Sequence, residues 1–168
     1  TGPINPFNTV EMERLFAPGN RVQVQYSSLY GYEWNEGPEN VVSALQAIEQ
    51  TMNVKFLYGT RTIAGRDYEI LLVDAGGLAG HVINNFKFYL WQRWGLNCGL
   101  HENNWEFSFF LNAGEPLYAG LQAITADMPP GVMRYLIAHE WLGLPMVFSA
   151  LLRDECCYKT IFYAHEVA

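Results

Sequence analysis

RYLIAHEWLGLPMVFSALLRDECCYKTIFYAHEVA, from Arg134 to Ala168, decides how the rest of the chain is read. Its first apolar run, Tyr135–Ala138, has the length of a strand and runs into a turn carrying His139 and Glu140. An apolar helix follows, then a second strand, Thr160–Ala164, ending at His165 and Glu166. Strand, helix, strand predicts a βαβ unit, whose two strands are parallel and end on the same edge of the sheet. Open α/β sheets take ligands at that edge. The order therefore predicts His139, Glu140, His165 and Glu166 converging on one crevice.

Working outward, Arg21–Ser28 alternates Val, Gln, Val, Gln, Tyr and reads as a strand. An aromatic, Gly- and Glu-rich loop follows, then a helix in which Val41, Val42, Leu45, Ile48 and Met52 recur at helical spacing. Pro38 suits its first turn. Strands are predicted at Asn53–Tyr58 and Tyr68–Val73, separated by a turn over Arg61–Asp67. Two aromatic helical runs occupy the middle, from Phe86 to Trp94 and from Trp105 onward, with Pro116 expected to break or kink the second. Strands alternating with helices predict an α/β fold with a mostly parallel sheet, in a single domain spanning 1–168 whose first 20 residues form an irregular segment.

The 168 residues suffice for one well-buried domain, and only 16% of them are charged. A net charge of −7, with no basic cluster, argues against nucleic-acid binding. No stretch approaches a membrane span, and the N-terminus lacks the pattern of a signal peptide. Cys98, Cys156 and Cys157 form neither a disulfide framework nor a zinc spacing, so reduced thiols and a cytoplasmic location are expected.

Four groups of residues carry possible chemistry. Glu36-Gly37-Pro38-Glu39-Asn40 fills the first βα turn, where a backbone often approaches a ligand. A dinucleotide fingerprint is absent, Glu33, Glu36 and Glu39 would repel phosphate, and Asn40 is equally readable as a helix cap. His139-Glu140 at a strand end is either a satisfied core pair or a functional one, with Trp141 and Pro145 offering an apolar platform. His165-Glu166 is either a second strand end at the same crevice or the start of an H-E-x-x-H zinc motif. The β-prone residues before it, and the failure of HEWLG to fit that pattern, favour the strand. Trp91, Trp94 and Trp105, with Tyr89 and Phe107–Phe110, are either a sugar-stacking surface or core, and helical spacing favours core for most of them.

Several stretches together resemble the N-terminal domain of glycogen and starch synthases, retaining glycosyltransferases of the two-domain GT-B type. GPENVVSALQAI (Gly37–Ile48) is similar to the family's glycine loop and helix, G-L-[GA]-D-V-V-x-[AS]-L. NNWEFSFFLNAGEPLYAGLQAI (Asn103–Ile124) resembles the helix after D-N-x-x-R-F-x-x-F, and LIAHEWLGLPMVFSALL (Leu136–Leu152) resembles the V-H-x-H-[DE]-W segment and its helix. KTIFYAHEVA (Lys159–Ala168) resembles K-[ST]-[VI]-F-T-x-H-N.

The resemblance implies one Rossmann-like half of a GT-B fold that transfers a hexose from ADP- or UDP-glucose to a glucan-like acceptor, with no metal and no other cofactor. It implies that His165 hydrogen-bonds the donor sugar and that Glu140 lies close to it, with His139 and Trp141 supporting them. Glu36, Gly37 and Asn40 would line the substrate side. Trp34-Asn35-Glu36-Gly37 stands where the family has K-x-G-G, so lysine is replaced and a carboxylate is added. That departure supports an alternative expectation, a non-catalytic carbohydrate-binding or interaction domain of the same fold. A truncated zinc hydrolase is the remaining one. In GT-B enzymes a C-terminal domain binds most of the nucleotide sugar, so the chain is expected not to transfer sugar without such a domain.

Overall fold

The computed structural model of the chain describes residues 22–26, 36–63, 65–153 and 158–164. The irregular segment expected over 1–20 lies outside them. In chain order the elements are β1 (Val22–Tyr26), α1 (Glu39–Met52), β2 (Lys55–Ile63), β3 (Arg66–Asp74), α2 (Gly80–Trp94), α3 (Trp105–Ile124), β4 (Arg134–His139), α4 (Leu144–Leu151) and β5 (Tyr158–Tyr163). Short 3-10 turns occupy Cys98–His101 and Trp141–Gly143. Helices and strands are mixed along the chain, as their alternation in the sequence predicts.

The strands form two small sheets. One has the order β1-β3-β2, with β1 parallel and β2 antiparallel to β3; in the other, β4 lies parallel to β5. A single open sheet is therefore not formed among the described residues, and the expected Arg61–Asp67 turn is much shorter. β2 runs on to Ile63 and β3 starts at Arg66, in register Ile63↔Arg66. Gly65 has φ 76°, the left-handed region that a tight hairpin turn uses. A connection at 64–65 leaves no length for the crossover that a parallel partner would need.

The longest element, α3, ties the sheets together. Its Ala113, Leu117, Tyr118, Leu121 and Ile124 share one core with Phe56, Tyr58, Leu71 and Val73 of the first sheet. Leu136 and Ala138 of β4 and Met146, Val147 and Ala150 of α4 belong to the same core. Each Leu, Ile, Val, Met or Phe among them contributes roughly 1.5–3 kcal/mol of burial. Asn104 caps α3, its side chain accepting from the backbone N–H groups of Glu106 (3.0 Å) and Phe107 (3.1 Å).

The helix passes through Pro116 without the expected break, and Pro116 itself is buried. Proline inside a helix costs about 3 kcal/mol locally. Ten buried residues along α3 offset that cost, so tertiary packing overrides local propensity. Two glycines let α3 approach its neighbours. A Cβ on Gly114 would lie 2.8 Å from the Pro145 carbonyl carbon of α4, and one on Gly120 would lie 2.6 Å from Leu71 of β3.

Candidate ligand site at the carboxyl edge of β4 and β5

The βαβ unit read from the sequence is present. β4 and β5 pair from Arg134↔Tyr158 to His139↔Tyr163, so both strands end at the same level. Along β4, Leu136 and Ala138 point into the core while Tyr135, Ile137 and His139 are exposed, the two-residue alternation of a strand with one covered face. The chain then turns through Trp141–Gly143 into α4, where Pro145 sits in the first turn.

Parallel register places His139 beside Tyr163 on one face, and their rings stack with centroids 5.7 Å apart and 27° between planes. The next residue carries the ladder one step further: the Glu140 N–H donates to the Tyr163 carbonyl at 2.9 Å. The Glu140 carbonyl in turn accepts from the Gly143 N–H at 3.2 Å.

Between these two bonds Glu140 adopts φ 60°, ψ 178°. That region is open essentially to glycine alone, and a residue with a Cβ there stores about 1–3 kcal/mol. Such strain persists only where its surroundings impose it. Here the β5 carbonyl on one side and the 3-10 turn on the other do so. Trp141 follows, its ring edge-on to Phe110 of α3 (4.9 Å, 75°) with part of the indole exposed.

The edge therefore presents a stacked imidazole and phenol, a half-buried carboxylate and an indole face. Aromatic faces pack against the C–H face of a sugar ring, and a carboxylate accepts from its hydroxyls. A fixed carboxylate also stabilises positive charge developing on a nearby carbon.

His139, Glu140 and Trp141 thus come together at this edge. His165 and Glu166 lie outside the described residues. Glu36, Gly37 and Asn40 belong to the first sheet, at the start of α1. Asn40 is not the cap: Pro38 holds that position, its carbonyl accepting from the N–H groups of Val41 and Val42, both at 3.0 Å.

Gly37 has a packing reason to be glycine, since a Cβ would collide with the Tyr58 ring. Tyr58 is held through both backbone and side chain: its carbonyl accepts from the Glu36 N–H at 2.9 Å, and its hydroxyl donates to Glu69 at 2.5 Å. Because β2 is antiparallel, Lys55 pairs with Asp74, and the last turn of α1 adjoins the end at which β1 and β3 leave. Gly37 and Asn40 lie at the other end of this 14-residue helix, which is about 21 Å long.

The aromatic middle of the chain divides, and the core reading fails for its most prominent members. Phe86, Leu90, Phe110 and Leu111 are buried. Tyr89, Trp91 and Trp105 are exposed, and Trp94 lies partly exposed against Phe148 (5.6 Å). The helical period is real, but on α2 it marks an apolar core face and an aromatic solvent face together.

Two tyrosines escaped the sequence reading. Tyr58 supports the Gly37 turn, and nothing in its local sequence signals that. Tyr163 supplies the stacking partner of His139 and the acceptor for Glu140, and aligning the two strand ends in parallel register would have found it.

Cys98 is buried, and burial pushes its thiol up from the ordinary 9.0, with Lys87 acting against the rise and Glu102 adding to it. Among the described residues no group of three or more His, Cys, Asp or Glu side chains could hold a metal ion, and no helix is long and apolar enough to cross a membrane. No family model matches the chain, and no curated protein matches it significantly.

Proposed function

We propose that this chain is the acceptor-side domain of a retaining, GT-B-type glycosyltransferase that moves a hexose from ADP- or UDP-glucose to a glucan-like acceptor in the cytoplasm. The observation that carries the reading is Glu140, held at φ 60° where β4 ends, beside the His139–Tyr163 stack. Strain of this kind clusters at sites where a side chain must be aimed. The two sheets are read as the halves of one Rossmann-like sheet.

In such a transfer the bond from the anomeric carbon to the diphosphate breaks, its electron pair leaving on phosphate. An acceptor hydroxyl forms the new C–O bond and gives up its proton. Positive charge gathers on the sugar ring between these events. Glu140 would face that charge, and His165 would hydrogen-bond the sugar. His139 and Trp141 would hold the ring against an apolar platform, while Glu36, Gly37 and Asn40, at the far end of α1, would stay outside it. The nucleotide would be held by a second domain of the intact protein, with no metal needed.

A second reading is favoured by a specific observation. Trp34-Asn35-Glu36 replaces the lysine loop of the glycogen synthases, and this suits a domain that binds carbohydrate without transferring it. The two readings separate on turnover. The intact protein, given radiolabelled ADP- or UDP-glucose and a glucan acceptor, is expected to label the glucan and release nucleoside diphosphate. Glucan binding with no label incorporated would leave only the binding reading.

A further inference from the structure

The turn that carries Glu140 closes back onto the strand it has just left, and one missing side chain lets it do so. A Cβ on Gly143 would lie 3.0 Å from the Cα and 3.1 Å from the Cβ of Ala138. Glycine is not required there by its backbone, since Gly143 has φ −86°, ψ −12°, an ordinary right-handed conformation. It is required by the close approach. Ala138 is buried and paired with Phe162 in the β4–β5 ladder, so the strand has little room to give way.

The other side of the turn is held by α3. Phe110 and Gly114 lie one helical turn apart on that helix, and they meet Trp141 and Pro145. Phe110 sets its ring edge-on to the Trp141 indole, 4.9 Å away. A Cβ on Gly114 would lie 2.8 Å from the Pro145 carbonyl carbon. The turn is thus pressed between β4 and α3. A chain that leaves β4 at Ala138 and touches it again at Gly143 must reverse within residues 139–142. The 3-10 turn over Trp141–Gly143 makes part of that reversal, and Glu140 makes the rest at φ 60°.

We propose that Gly143 is a positioning residue for the Glu140 carboxylate. Without a side chain at 143 the turn seats on Ala138, and the seated turn drives residue 140 into its positive φ. A methyl group there pushes the turn outward by a few tenths of an ångström, which lets residue 140 relax and re-aims its side chain. The torsion stands on the packing alone, and its use in catalysis rests on the sugar-transfer reading.

The test is a double-mutant cycle in urea. Glu140→Gly and Glu140→Ala differ in midpoint through the strain at residue 140, by about 0.5 M in an otherwise wild-type chain. In the Gly143→Ala background that gap should shrink by about half or more. Gly120→Ala, which crowds α3 against Leu71 instead, should lower stability and leave the gap unchanged. Phe110→Leu keeps the core filled but frees the Trp141 indole, so it makes the same comparison if Gly143→Ala does not fold. A gap that survives in the Gly143→Ala background, or one that Gly120→Ala narrows equally, would overturn the proposal. So would the absence of any gap in the wild-type background. In the intact protein, Gly143→Ala should lower kcat for glucosyl transfer about tenfold and change KM by less than about twofold. An unchanged kcat would equally overturn it. A wild type that transfers no sugar would refute the functional reading, while the cycle, which needs no substrate, would still decide what sets the torsion.

Discussion

Replacing Glu140 by glycine should make the protein more stable, although it deletes a side chain proposed for the site. At φ 60°, ψ 178° the Glu140 backbone occupies territory that only glycine enters freely, at a cost of about 1–3 kcal/mol. Glycine removes that cost but adds about 0.5–1 kcal/mol of unfolded-chain entropy. Taken at the middle of each range, the net gain is about 1 kcal/mol. Glu140→Ala is the reference, because it removes the same carboxylate and keeps the strain. Urea unfolding followed by circular dichroism compares the two. With a slope of about 2 kcal/mol per molar, the midpoint of Glu140→Gly should lie about 0.3–1 M above that of Glu140→Ala. The hydrogen bonds to Tyr163 and from Gly143 are backbone bonds and survive both changes. Equal midpoints, or a lower one for glycine, would show that residue 140 is not strained and would remove the main support for the site.

Three further outcomes follow from the packing and the charges. Gly114→Ala should destabilise the fold by about 1–3 kcal/mol in the same urea assay, because its Cβ would lie 2.8 Å from the backbone of Pro145. Arg153→Ala should cost about 1–2 kcal/mol, with Arg153→Lys recovering less than half of it. Its guanidinium makes paired 2.9 Å bonds to Glu115, lies 4.7 Å over the Tyr118 ring and donates to the Ser149 carbonyl, and a lysine reproduces only a point charge. Burial raises the Cys98 thiol in the folded state, so above about pH 9 the unfolded chain loses that proton first and stability falls as pH rises. The wild type should lose more stability between pH 8 and about pH 10 than Cys98→Ala does, measured by thermal unfolding.

What could be read from the sequence divides by the range of the interaction. The βαβ unit was legible because its apolar runs and turn are local, and the register then follows from parallel pairing. Its strand ends differ from the expectation by no more than two residues. The antiparallel placement of β2 was not legible, since it depends on a short connection between Ile63 and Arg66 inside a stretch read as a longer turn. Pro116 misled because its penalty is local while the contacts that override it are spread along α3. The aromatic helices misled for the opposite reason. Period alone shows which residues share a face, but Phe86 and Trp91 look equally suited to a core until the packing partner is known. Position alone placed His139, Glu140 and Trp141 at the end of β4. The geometry that singles out Glu140 is a backbone torsion, which no residue type announces.

Glu140 and its neighbours at the β4–β5 edge are proposed to serve sugar transfer. The most direct test is the rate of glucosyl transfer from ADP- or UDP-glucose by the intact protein carrying Glu140→Gln, beside its thermal midpoint. The predicted result is a fall in kcat of about a hundredfold or more, with a midpoint that matches the wild type. A kcat unchanged by this substitution, in a protein that transfers sugar, would contradict the assignment.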